Sequence, residues 1–171
     1  DPYVYSMKAI NGLKGSSFTV GCMCAGQAST LSMMMYYDAR PCGMSGLFDT
    51  ETLGRRKGYY AFDQFKALRR LGTSVQTDVQ NEMIYTCAAT NGKDSAIMLT
   101  HYQDLDEAPV EEVCIEIQNM PAENGVVAEF YLLDEKNDSA LVRKERLTAK
   151  NTSLYLQAKL FDTYLIKLTA V

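Results

Sequence analysis

From Ser74 onward the chain is divided by polar turns into short apolar segments, and that spacing admits few architectures. Segments at 83–90, 95–102, 112–119, 126–133, 141–147, 153–158 and 163–169 each run six to eight residues. Apolar and polar residues alternate in Val113-Cys114-Ile115-Glu116-Ile117 and in Tyr164-Leu165-Ile166-Lys167-Leu168. Period-two alternation places one face of a strand in a core and the other toward solvent. Asn91-Gly92 is a hairpin signal, Asn124-Gly125 a turn signal, and 134–138 a polar loop. The spacing predicts an antiparallel β-sandwich or open barrel, with an edge strand within 73–79.

The first 72 residues have another texture. Apolar and small residues through 3–28 predict one or two short helices packed closely on a larger body. Leu31-Ser32-Met33-Met34-Met35-Tyr36-Tyr37-Asp38 is a nearly continuous apolar run, which suits a strand covered on both faces; a buried helix is the alternative. A turn-rich loop follows Pro41. Residues 59–71 then form an amphipathic helix, with Phe62, Phe65 and Leu68 on one face, Arg69 and Arg70 near its end and Gly72 as its stop. One such strand cannot make a parallel sheet, so either other chain supplies its neighbours or it is not a strand.

Charge divides at the same place. Residues 1–72 carry nine Lys/Arg against five Asp/Glu, and residues 73–171 carry eight against sixteen. The expected organisation is therefore a first unit over 1–72 and a β-sandwich over 73–171. The acidic second unit disfavours nucleic acid as a partner, because such binding rests on neutralised phosphates. No apolar stretch is long enough to span a membrane. At 171 residues and 47% hydrophobic, the chain can bury a sizeable core and is not intrinsically disordered. It opens on Asp1 with no signal peptide in view, which suits a processed product, an expressed segment or one piece of something longer.

Five cysteines at wide, uneven spacing and a single histidine give no metal-binding pattern, and no cofactor is expected. Buried reduced thiols are the default reading. The odd cysteine count leans toward a cytoplasmic setting without fixing the compartment. Asn137-Asp138-Ser139 and Asn151-Thr152-Ser153 fit the glycosylation acceptor pattern, which short chance matches also satisfy.

The segment with functional character is Tyr36-Tyr37-Asp38-Ala39-Arg40-Pro41, at the end of the expected strand. Ligand sites in α/β folds gather at that edge. Tyr36 and Tyr37 suit stacking on a sugar or hydroxyl hydrogen bonds; Asp38 suits ligand hydroxyls or the orientation of Arg40. The structural alternative makes the tyrosines packing residues and Asp38–Arg40 an ion pair. Phe48 and Asp49 follow on the loop, where Asp49 is equally suited to an Asx turn. No pair of carboxylates, phosphate-binding glycine loop or serine elbow completes a catalytic set, and His101 reads as a structural strand residue. This chain by itself is not expected to be an active enzyme.

Met35-Tyr36-Tyr37-Asp38-Ala39-Arg40-Pro41, then Gly46-Leu47-Phe48-Asp49, then Lys57-Gly58-Tyr59-Tyr60-Ala61-Phe62, resembles the closing portion of a clan A glycoside hydrolase of the β-xylosidase and arabinofuranosidase-like type. The resemblance implies a mixed α and β fold. An N-terminal helix-strand-helix remnant of a (β/α)8 barrel would precede an antiparallel β-sandwich. Residues 31–38 would be the eighth barrel strand and 59–71 the eighth helix. The family's two catalytic glutamates follow the fourth and seventh strands, and neither maps onto a residue here, so no catalytic residue is assigned. Tyr36, Tyr37, Asp38 and Arg40 become substrate-cleft candidates. The implied partners are an oligosaccharide or polysaccharide in the intact enzyme, and the missing barrel as another chain or a homo-oligomer. A non-catalytic carbohydrate-binding or structural β-sandwich is the alternative.

Overall fold

The computed structural model describes residues 1–120 and 124–171. Three helices, α1 (Pro2–Asn11), α2 (Leu13–Gln27) and α3 (Lys57–Leu71), precede eight strands. The strands are β1 (Thr73–Val75), β2 (Ile84–Thr90), β3 (Ser95–His101), β4 (Glu111–Ile117), β5 (Val126–Leu133), β6 (Asp138–Leu147), β7 (Thr152–Ala158) and β8 (Thr163–Ala170). Six form an antiparallel sheet in the order β1-β2-β3-β8-β5-β6, and β4 pairs with β7 in a second, smaller sheet.

The six-stranded sheet is covered on both faces, which gives three layers. Alternation along β3 makes the division visible. Ala96 and Met98 point to the helices, in a cluster with Val20, Met23 and Cys24 of α2, Ala61 and Leu68 of α3, and Leu165 of β8. Leu99 points the other way, toward Phe130, Ile166 and Leu168 and the small sheet's Leu154. Register brings these residues together, since Phe130 lies opposite Ile166 and Ala128 opposite Leu168. Met98 and Phe130 are almost wholly buried, and each such side chain contributes roughly 1.5–3 kcal/mol by leaving water.

Helix α2 comes close enough to β2 that a methyl group on Gly21 would sit 3.5 Å from the Tyr85 ring. Ser17 and Thr100, both buried, share a hydrogen bond of 2.7 Å across the same junction, and Thr100 also meets Thr163 at 2.9 Å. These hydroxyls satisfy one another where helix meets sheet, so burial costs them little. Helices and sheet thus share one core across Gly72. That glycine ends α3 at φ 91°, with its N–H reaching the Leu68 carbonyl.

One expectation does not hold. Residues 31–38 form no strand. Leu31, Met33, Met34, Met35 and Tyr37 are instead exposed on an extended segment. A strand requires a neighbour for its backbone N–H and C=O groups. Among the described residues no ladder pairs with this segment, because every strand of both sheets comes from residue 73 onward.

Candidate functional site

The exposed segment leads into a loop that α3 holds in shape. Tyr36 is half-buried: its hydroxyl donates to the Ser45 carbonyl at 2.6 Å, and its ring meets Phe62 edge-on at 5.0 Å. Burial pushes the Tyr36 phenol pKa upward, the Asp38 charge adds to this, and Arg56 opposes it. Tyr37 faces solvent, 79% exposed, and its carbonyl accepts from Ser45 Oγ at 3.0 Å. Asp38 binds Arg40 twice. One carboxylate oxygen accepts from Arg40 Nε at 2.6 Å and the other from the Arg40 backbone N–H at 3.2 Å. Adjacent spacing and a short turn bring these groups together, while the Arg40 guanidinium remains largely in solvent.

Beyond Pro41 the loop closes on itself. Phe48 bridges to both Pro41 and Arg55 and tilts against Tyr59 at 5.5 Å. Asp49 accepts from the backbone N–H groups of Glu51 and Thr52 and from the Thr52 hydroxyl. Arg56 Nη2 donates to its other oxygen at 3.2 Å, while Nη1 donates to the Cys42 carbonyl at 2.9 Å. Those donors hold the Asp49 carboxyl well below the usual carboxylate range. Asp49 is therefore an Asx-turn residue, and Phe48 packs on the following helix.

The four candidate residues divide chemically. Tyr36 is a packing residue with its hydroxyl committed. Asp38 has oxygens on both Arg40 donors. Tyr37 supplies a free ring and Arg40 a solvent-facing guanidinium, and both groups suit sugar hydroxyls and sugar faces. None of the four lines either of two concavities found among the described residues. The first, about 490 Å³, is a charged basin that includes Lys8, Asn11, Asp49, Arg55, Arg56 and Lys57. The second, about 780 Å³, opens between the small sheet and the β5–β6 side of the large one.

Arg143 floors this second cleft. Its guanidinium lies 4.0 Å over the Phe130 ring, donates to the Tyr155 carbonyl at 2.7 Å, and meets Glu145 at 2.6 Å. Tyr155 is 66% exposed beside it. Asp162 also lines the cleft, almost fully buried, and accepts from the Lys159 N–H at 2.9 Å. Loss of hydration raises its carboxyl to about 6. Reading the residues alone did not single out Asp162. Its one sequence signal is an aspartate inside the tight turn Lys159-Leu160-Phe161-Asp162, a position usually solvated. His101 is wholly buried, with Nδ1 3.1 Å from the Ala158 carbonyl, and occupies a structural position.

Among Tyr85, Tyr102, Tyr131 and Tyr155, only Tyr155 is exposed. Tyr85 and Tyr102 pack in a T-shaped arrangement at 6.4 Å and Tyr102 meets Phe18 at 5.6 Å, while the Tyr131 hydroxyl donates to Glu129. They make no aromatic row for a glycan. Among the described residues no group of three or more His, Cys, Asp or Glu is placed to hold a metal, and no helix is long and apolar enough to cross a membrane.

No family model and no curated protein matches the sequence. Solved structures do. A glucosidase from Croceicoccus marinus aligns with a TM-score of 0.77 at 13% identity, over 91% of this chain and 41% of its own. The GH39 enzyme from Xanthomonas axonopodis pv. citri gives 0.74 at 13% identity, over 94% and 41%. A monomeric β-xylosidase from Caulobacter crescentus gives 0.70 at 13% identity, over 94% and 42%. The chain has a glycoside-hydrolase-like fold, and it spans about two fifths of the length of these structures.

Proposed function

We propose that this chain is the C-terminal part of a retaining glycoside hydrolase that cleaves O-glycosidic bonds in plant-type oligo- or polysaccharides. Residues 1–72 close its (β/α)8 barrel and 73–171 form its accessory β-sandwich. The observation that carries this reading is the agreement over nine tenths of the chain with two fifths of several glycosidase structures. The segment 31–35, exposed and, among the described residues, without a ladder partner, supports it, because an eighth barrel strand would find its neighbours in the missing part. Catalysis then requires two carboxylates supplied from outside this chain, and Tyr37 and Arg40 border the sugar cleft beside them.

The alternative is a β-sandwich that binds carbohydrate or supports another domain without catalysis. Its binding form needs a surface row of aromatics, which Tyr85, Tyr102 and Tyr131 do not provide. The apolar junction of α3 with the sheet favours a supporting role.

Native mass spectrometry of the protein from its source, with peptide mapping and an assay on aryl glycosides, tests the proposal. A barrel-bearing polypeptide continuous with or bound to these residues, together with turnover, is the expected result. A self-sufficient chain with no barrel and no turnover would overturn it.

A further inference from the structure

Two cysteines far apart in sequence meet in the helix–sheet core. Cys24 Sγ lies 3.4 Å from Cys87 Sγ across a separation of 63 residues. Both are buried, at 3% and 4% exposure, in the cluster that joins α2 to β2. Their meeting follows from the close approach of Gly21 to Tyr85. Three residues along α2 advance the helix by about 4.5 Å, and two residues along β2 advance the strand by about 6.6 Å on the same face. Cys24 therefore arrives over Cys87. All five thiols are free; of the other three, Cys22 and Cys42 are half-buried and Cys114 is exposed.

We propose that Cys24 and Cys87 are a disulfide-forming pair that cross-links α2 to the central sheet under oxidising conditions. The sulfurs are in van der Waals contact, so bonding requires only a small further approach from two elements already packed together. The hydrogen bond with the Cys87 sulfur, and after it burial, push the Cys24 thiol upward, which keeps it protonated in the closed core. The bond consequently forms while α2 is separated from the sheet, during folding or local opening.

With oxidised glutathione as the oxidant, one protein thiolate attacks the glutathione disulfide and releases one glutathione thiolate. The second protein thiolate then attacks the protein sulfur of the mixed disulfide and releases the other. Two protein thiols are oxidised, one glutathione disulfide is reduced, and the two protons given up by the protein thiols are taken up by the two released glutathione thiolates, which become thiols. Once α2 closes over the bond, the packing that hides the sulfurs also shields the disulfide from reductants.

The test holds the purified chain in glutathione buffers graded from reduced to oxidised, at a urea concentration just below unfolding. Alkylation and peptide mapping then follow each cysteine. The expected result is a Cys24–Cys87 linked peptide and the loss of two hydrogen masses, while Cys22, Cys42 and Cys114 are alkylated. Cys114→Ser should leave the cross-link intact, and Cys24→Ala should abolish it. The oxidised chain should melt about 5–10 °C above the reduced one, because the bond closes a long loop in the unfolded state. Alkylation of both Cys24 and Cys87 in the most oxidised buffer, or pairing of either with another cysteine, would overturn the proposal. An oxidised form that melts no higher than the reduced form would overturn the stapling role.

Discussion

Lys57 Nζ lies 2.7 Å from an Asp138 carboxylate oxygen and 2.6 Å from the Asp134 carbonyl, fastening the first turn of α3 to the β5–β6 hairpin. The Glu135 and Asn137 carbonyls are further acceptors, each at 3.4 Å. This is a small cage around one ammonium rather than an isolated surface pair. Lys57→Met keeps the stem and removes the charge; it should destabilise the chain by about 1–2 kcal/mol. Urea unfolding should show a lower midpoint with an unchanged slope.

Asp162 sets a pH dependence of definite sign. Its carboxyl is raised from an ordinary 3.8 to about 6 in the folded chain, with Lys159, Asp134 and His101 as charged or titratable neighbours. Between those values the folded state holds more protons than the unfolded state. This group's contribution to stability is therefore greatest below about pH 4 and falls as the pH rises through 6. Asp162→Asn should stabilise the chain at pH 7 by about 1–2 kcal/mol, because it keeps an acceptor for the Lys159 N–H and removes a buried charge. Melting curves from pH 4 to pH 8 should show this gain shrinking toward the acid end, by the usual linkage between protonation and folding.

Gly125 has φ 90°, and a methyl group there would lie 2.3 Å from the Leu147 carbonyl oxygen. Its own carbonyl accepts from the Val171 N–H, tying the chain terminus to the sheet. Gly125→Ala should cost about 2–4 kcal/mol, combining left-handed backbone strain with a backbone clash. Chemical denaturation would measure the cost. Hydrogen exchange at Val171 should rise with it.

Tyr36 and Tyr37 are neighbours with opposite expectations. Tyr36→Phe removes the hydroxyl from Ser45 and should cost about 1 kcal/mol of stability. Tyr37→Ala should leave the melting temperature unchanged, since the ring touches mainly solvent. In a complete glycosidase the order reverses for catalysis: Tyr37→Ala should lower kcat/KM several-fold, while Tyr36→Phe leaves it nearly intact. Steady-state assays on an aryl glycoside, read beside calorimetry, separate the two roles.

The strands of the second half were legible because alternation, turn residues and strand length agreed there. Residues 126–133 match β5 end to end, and Asn91-Gly92 makes the expected turn, with Gly92 at φ 87°. The helix expected over 59–71 begins two residues earlier, at Lys57. Residues 31–38 form no strand within this chain for a specific reason. An apolar run reports that a segment wants cover, whereas a strand also needs a neighbour, and composition carries no information about neighbours. At the candidate site, the Asp38–Arg40 pair and the Asx-turn role of Asp49 were both within reach, because each depends on residues two or three positions away. The Asp162 environment and the Cys24–Cys87 contact depend on elements distant in sequence, and no local pattern announces them.

The bare segment Met33-Met34-Met35 has a practical corollary. Thioethers in solvent are oxidised readily by dilute peroxide, whereas the buried Met98 and Met120 are shielded. These three adjacent sulfurs therefore act as a built-in footprinting label. Their sulfoxide yield will report, in any preparation, whether the strip is open to water or covered by protein.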